Sequence, residues 1–315
     1  MTALVLDPVA ITATSAKETR LPLDRRAWRV TVAGAELPPE VDLDFEVSKS
    51  RKERRLNSCS LSIFNLSPDS RAFLEGISLD VKANKKGTGK GSFKQVGLQT
   101  GKIRVEIEAG YEGVGTSLIF RGDLRRCWSE RDSPDIVTKI WGEDGGRSAL
   151  VSRAAGSFPP GTPVANVARY CAARAGVGEG NLVAALDGLL PGTVAAGVYE
   201  EGTVLSGGAL DELRRILRPS GVSFSIQDGV LQCLGRDGYI PSSTVVLSAA
   251  TGLIGSPVKD QNGYVTATAL IQPGLFVGGR VRFDSRDLQG DCRILGVEYA
   301  GSTYGQDWYA KLECK

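Results

Sequence analysis

Residues 102–109 read KIRVEIEA, and this stretch decides the fold class. Ile103, Val105, Ile107 and Ala109 fall on one side of an extended chain; Lys102, Arg104, Glu106 and Glu108 fall on the other. A period of two is the mark of a strand with one face in a core and one in water. The same alternation recurs outward in both directions. Cys59, Leu61 and Ile63 alternate with serines over residues 58–63. Val281 and Phe283 alternate with charges over 280–284. Trp308, Ala310, Leu312 and Cys314 alternate with Tyr309, Lys311 and Glu313 at the end. One hairpin is legible in detail. Asp228-Gly229 is the preferred pair for a two-residue type I′ turn, and it sets Ile226 against Leu231 and Phe224 against Cys233.

Between these β regions the period changes. Thr162 as cap and Pro163 at the first helical position open a helix with Val164, Val167, Ala168, Cys171 and Ala175 on one stripe, closed by Gly176. A second helix is expected over about 208–218, with Leu210, Leu213 and Leu217 on one face, acids in its first turn and arginines in its last. A shorter helix starts at Pro68, capped by Ser67. The expected class is mainly β with an α/β middle. It divides into an N-terminal arm at 1–26, a first β domain at 27–149, a mixed middle at 150–244 and a second β domain at 245–315.

Composition narrows the function. The 315 residues are 42% hydrophobic and 23% charged, an ordinary globular mixture, and glycine stands at 39, as a turn-rich β protein requires. There is no histidine, which removes Ser-His and Cys-His nucleophile pairs and His-ligated metal sites together. The six cysteines form no CxxC pair and several fall on apolar strand or helix faces, so buried thiols are expected. Glu143/Asp144 and Glu200/Glu201 are sequence neighbours and so point to opposite faces of a strand, which is not a paired catalytic geometry. No catalytic residue, cofactor or metal is expected. No stretch is long and apolar enough for a membrane helix, and Asp7 and Pro8 break the N-terminal apolar run, so neither membrane insertion nor ordinary export is expected.

The net charge of +2 is unevenly spread. Residues 49–55 carry +4 and residues 80–104 carry +6, on a body of about −8. The glycine- and lysine-rich run at 87–92 is not a phosphate loop. Asn84 stands where the first glycine should be, and Gly91 follows Lys90 in place of Ser or Thr. It reads as a basic loop at a hairpin tip, with one aromatic, Phe93, and no stacking platform for single-stranded nucleic acid. Lys49, Arg51, Lys52, Arg54 and Arg55 in the first segment, and Lys85, Lys86, Lys90 and Lys94 in the second, are the candidate interface residues. Two further readings are a cell-wall-binding or wall-degrading protein, and a nucleic-acid binder acting through these basic loops.

Taken in order, the short motifs resemble a known family. Residues 61–68 (LSIFNLSP) are similar to the "tifNLs" signature of phage baseplate hub proteins, the late control protein D-like hubs of tailed phages. VEIEAGY at 105–111, IFRGD at 119–123 and residues 138–145 follow at the places the family has them. So do LSGGAL at 205–210, FSIQDG at 224–229, GLIGSP at 252–257 and GSTYGQDWY at 301–309. The order runs over about 27–315; the Lys-Gly-rich insert at 84–101 departs from it. The resemblance implies two tail-tube-like β-barrels flanking the middle domain, and a structural virion protein without enzymatic activity. It implies a homotrimer forming a pseudo-sixfold ring between a sixfold tail tube and a threefold spike or tip, assembled in the host cytoplasm. Tail tube protein, spike or tail-tip protein and tape-measure protein are the implied partners, with DNA met only in passage through the lumen.

Overall fold

The alternating stretches all become strands, and their apolar sides meet in a common core. The computed structural model describes residues 23, 25–51, 56–83, 103–144 and 146–315. The first β region holds β1 (Arg26–Val32), β2 (Ala35–Glu36), β3 (Leu43–Ser50), β4 (Ser58–Phe64), α1 (Pro68–Ala83), β5 (Arg104–Tyr111), β6 (Gly115–Asp132) and β7 (Asp135–Glu143). The middle holds α2 (Gly146–Val151), β8 (Arg153–Phe158), β9 (Thr162–Pro163), α3 (Val164–Ala175), α4 (Leu182–Leu186), β10 (Val198–Tyr199), β11 (Thr203–Gly208), α5 (Ala209–Leu217), β12 (Ser223–Gln227) and β13 (Val230–Leu234). The last region holds β14 (Val245–Leu247), β15 (Leu253–Lys259), β16 (Val265–Leu270), β17 (Arg280–Asp284), β18 (Gln289–Ser302) and β19 (Trp308–Cys314).

Both β regions belong to one sheet. Its strands run β15-β16-β19-β18-β3-β4-β7-β6-β5-β1-β2, with β17 on β18 and β14 parallel to β17. The join is β3 against β18, antiparallel, from Asp44↔Ser302 to Ser50↔Gly296. The two halves repeat one topology. In each, the first strand pairs the second, the second the fifth, the fifth the fourth and the fourth the third: β3, β4, β5, β6, β7 in one half and β15, β16, β17, β18, β19 in the other. All these pairings are antiparallel. Even the irregularity repeats, since β6 and β18 each carry a bulge where they meet the fifth strand.

One apolar cluster draws on both β regions, with Val105, Ile107, Cys59, Leu61, Val281, Phe283, Trp308 and Leu312 among its buried members. A second cluster, made from residues 149–233, packs α3 and α5 on the β12–β13 hairpin through Val167, Cys171, Leu213, Leu217 and Phe224. The two β regions are clasped through Trp308. Its ring meets Phe45 edge-on at 5.4 Å, its indole N–H donates to the Gly110 carbonyl at 3.2 Å, and the Arg26 guanidinium lies over it.

The structure corrects two local expectations. Thr162 does not cap α3. Its hydroxyl turns back to donate to the Pro159 carbonyl at 2.6 Å, and its backbone pairs with Tyr199, leaving Pro163 as the last extended residue before the helix. The helix at Pro68 is not short. It runs 16 residues, with Ser67 accepting from the Ser70 amide as its cap. The hairpin-tip reading of the basic segment at 82–102 falls outside the described residues except at Lys82 and Ala83. Lys82 lies in α1, and residues 84–102, outside the described residues, link that helix to β5.

Candidate functional site

Of the nine cations singled out from sequence, Lys49 and Arg51 lie among the described residues. Lys52, Arg54, Arg55, Lys85, Lys86, Lys90 and Lys94 lie outside them. Lys49 sits at the end of β3, where the strand's alternation would carry its side chain toward the core. A charged head there needs a partner. It has one: the Lys49 ammonium donates to both carboxylate oxygens of Asp228, at 2.7 and 2.8 Å, and its side chain is 5% exposed. Arg51 donates its backbone N–H to the Leu295 carbonyl and its guanidinium to the Ser223 hydroxyl. The Lys49–Asp228 and Arg51–Ser223 contacts lie inside the chain and bind the middle region to the sheet.

They belong to a larger buried junction around the tip of the β12–β13 hairpin. Asp228 and Gly229 have φ of 55° and 83°, the two positive values of a type I′ turn, and the pairing sets Ile226 on Leu231 and Phe224 on Cys233 as the sequence implies. Such a turn leaves its two amides without partners in the ladder. Asp144, just past β7, accepts both: Asp228 N–H at 2.8 Å and Gly229 N–H at 2.7 Å. Asn57, just before β4, points its amide nitrogen at Asp144, at the Ile226 carbonyl and at Gln227, each at 3.0 Å. Its own oxygen accepts from Ser50 N–H at 2.9 Å, and Gln227 donates to the Ser50 carbonyl at 3.0 Å. Asp228 in turn accepts the Arg121 amide at 2.9 Å.

Burial, and next the charge of Asp228, hold the Asp144 carboxyl above the usual carboxylate range, against the donors and Lys49 that pull it down. Chemically this is a lock. Each carboxylate is engaged by fixed donors, and the cavity that adjoins them, about 180 Å³ and lined by Lys49, Gln227, Asp228 and Gln232 among others, is small. In the sequence Asp144 stands out only as the neighbour of Glu143, which is no catalytic pair. The signal that points to it is the Asp-Gly turn itself, whose outward amides require an acceptor. The hairpin's second face, Ser225 and Gln227, is likewise polar yet buried, because it meets Asn57 and Ser50 and not water.

The sheet face away from the core is polar and indented. A cavity of about 470 Å³ is lined by Ser48, Thr266, Thr268, Glu298, Lys311 and Glu313, among others. A neighbouring one of about 380 Å³ adds Ser58, Ser60 and Trp141. Hydroxyls and acids dominate this face.

The family model for baseplate hub gp41 matches residues 29–314. The chain belongs to the baseplate hub gp41 family. This makes the hub chain a structural tail component by family. Its fold is similar to that of the tail protein from Neisseria meningitidis MC58, with a TM-score of 0.59 at 12% identity over 92% of this chain and 96% of that one. It is similar also to the 43 kDa tail protein of prophage MuSo2 from Shewanella oneidensis, at 0.56 and 10% over 92% and 98%. The E. coli c3393 protein, described as a type VI secretion component with structural similarity to the T4 tail proteins gp27 and gp5, gives 0.52 at 10% over 90% and 76%. No curated protein sequence matches the hub chain.

Proposed function

We propose that three copies of this hub form a ring that adapts a sixfold tail tube to a threefold spike or tip. The single observation that carries this reading is the repeated five-strand unit, β3–β7 and β15–β19, joined side by side in one sheet. Three chains with two such units each present six similar units around an axis, matching a hexameric tube on one side while keeping threefold symmetry on the other. In this reading residues 27–149 and 245–315 are the two tube-like barrels and 150–244 the unit between them.

The hydroxyl- and acid-rich sheet face would line the passage, where fixed positive charge would hold DNA back. Tube, spike or tip, and tape-measure proteins are the partners. Lys52, Arg54, Arg55, Lys85, Lys86, Lys90 and Lys94 are proposed to dock on acidic surfaces of such neighbours. Lys49 and Arg51 serve instead to hold the middle region in place. The chain works in the tail, through interfaces and without catalysis. Among the described residues no helix is long and apolar enough to cross a membrane.

Stoichiometry tests the reading. Quantitative mass spectrometry of purified baseplates should return three hub chains for every six tube chains of the adjoining ring. Six hub chains per ring would overturn it.

A further inference from the structure

The repeat contains an asymmetry that specifies a contact. Within the chain, the first strand of one unit (β3) pairs with the fourth strand of the other (β18). The reciprocal pair, the first strand of the second unit (β15) with the fourth of the first (β6), does not form within the chain. Among the described residues β15 ends the sheet and pairs only with β16; seven strand steps separate it from β6. Residues 126–132 of β6 pair with β7 on one side, while the pairing of β5 along β6 ends at Arg104↔Asp123, so among the described residues their other edge carries no strand.

Superposing the two registers identifies equivalent residues. The bulge residue Arg125 of β6 corresponds to Leu295 of β18, which sets Glu130 on Ala300 and Asp132 on Ser302. Trp141 then corresponds to Glu313 and Lys139 to Lys311. Their partners Ser60 and Ser62 correspond to Thr266 and Thr268. One strand further, Glu46 corresponds to Val258 and Asp44 to Ile254. In the join itself Glu46 faces Ala300 and Asp44 faces Ser302.

Resting on the ring reading above, we infer that the free edge of β15 in one copy pairs antiparallel with residues 126–132 of β6 in the next, Val258 opposite Glu130 and Ile254 opposite Asp132. The occupant of each edge is thus a second copy of this chain, and three such joins close the ring. The side chains agree. Ile254 and Val258 are apolar and exposed, at 43% and 63%. Trp128 stands two residues before Glu130, diagonal to Val258 across the join, where its half-buried ring can cover that side chain. The irregularity in β15 lies at residues 255–257, and Pro257 has no N–H to give, so the ladder is anchored on either side of it, at Ile254 and Val258.

Cysteine cross-linking in assembled baseplates tests this. Directly paired strand residues have Cα atoms about 4.5–5.5 Å apart, within disulfide reach. Glu130→Cys with Val258→Cys, mildly oxidised, should convert the hub to covalent dimers and trimers on a non-reducing gel, and neither single variant should. Ile254→Cys with Asp132→Cys is the independent second pair. Baseplates that hold three hub copies yet cross-link with neither pair overturn the edge assignment and leave the ring reading standing. Baseplates with another copy number overturn both. Should both double variants fail to assemble, electron cryo-microscopy of the unmodified baseplate reads the Cα separation of Val258 and Glu130 between copies. A value near 5 Å supports the join, and one beyond 10 Å overturns it.

Discussion

Asp144→Ala is the perturbation that most directly measures how the middle region is held to the sheet. The carboxylate is the acceptor for the amides of Asp228 and Gly229, and it shares the Asn57 amide with Gln227 and the Ile226 carbonyl. Removing it strands the two turn amides in a buried site, at about 1–3 kcal/mol each. Part of that is returned, because the carboxylate itself is disfavoured by burial and by Asp228. A net loss of about 2–4 kcal/mol follows, a large share of the ~5–15 kcal/mol that holds an ordinary domain together. Denaturant titration reads the total, and amide hydrogen exchange at Asp228 and Gly229 reads the location. Asp144→Asn should lose less, since one oxygen remains to accept. The pH sign also follows. The folded-state value is raised, so Asp144's contribution is fully favourable below its unfolded value and is lost as pH rises through the folded one. The cost of Asp144→Ala should therefore be larger just below the ordinary carboxylate range than at neutral pH. Unchanged stability together with unchanged exchange at the two turn amides would refute the lock.

Other consequences are as specific. Trp308→Ala removes the Phe45 edge contact, the bond to Gly110 and the platform under Arg26, and should cost about 3–5 kcal/mol; calorimetry checks it, and a loss under 1 kcal/mol would contradict the clasp. Gly301→Ala should destabilise strongly, because a Cβ there would enter the Phe45 ring that covers this glycine across the β3·β18 join; expression and melting temperature read it. Asp291 is held at about 2 by its hydrogen bonds to Arg282 and Arg280, so its stabilisation is complete above the ordinary carboxylate value and fades as pH falls toward 2. Asp291→Asn should flatten that part of the acid limb in a pH-dependent melt. Maleimide at neutral pH should label Cys292 first, since the other five thiols are buried; burial pushes Cys59, Cys127, Cys171 and Cys233 up to about 12 and raises Cys314 as well. Mass mapping of the modified residues decides it.

Much of the fold was legible because local rules and burial agree. Alternation placed Ile107, Leu61, Phe283 and Trp308 in the core, and the Asp-Gly turn fixed the register of β12 on β13 down to the residue pair. What could not be read was whatever depends on distant segments meeting. Nothing in residues 43–50 announces β18 as their partner 250 residues on, nor that β3–β7 and β15–β19 share a topology, because pairing order leaves no trace in periodicity. Thr162 has the sequence of a cap, but the Pro159 carbonyl and the β10 pairing claim it first. Lys49 read as a surface cation because its neighbours in sequence are charged; its partner Asp228 comes from another element. Asp144 was hidden for the same reason.

In the proposed ring, each chain supplies two tube-like units on the tail axis. Electron cryo-microscopy of the intact particle, reconstructed without imposed symmetry around the tube's end, tests it most directly. Three hub copies are expected below the last tube hexamer, their β3–β7 and β15–β19 units alternating around the axis. Six copies, each contributing one unit to the ring, or a position away from the axis, would contradict it.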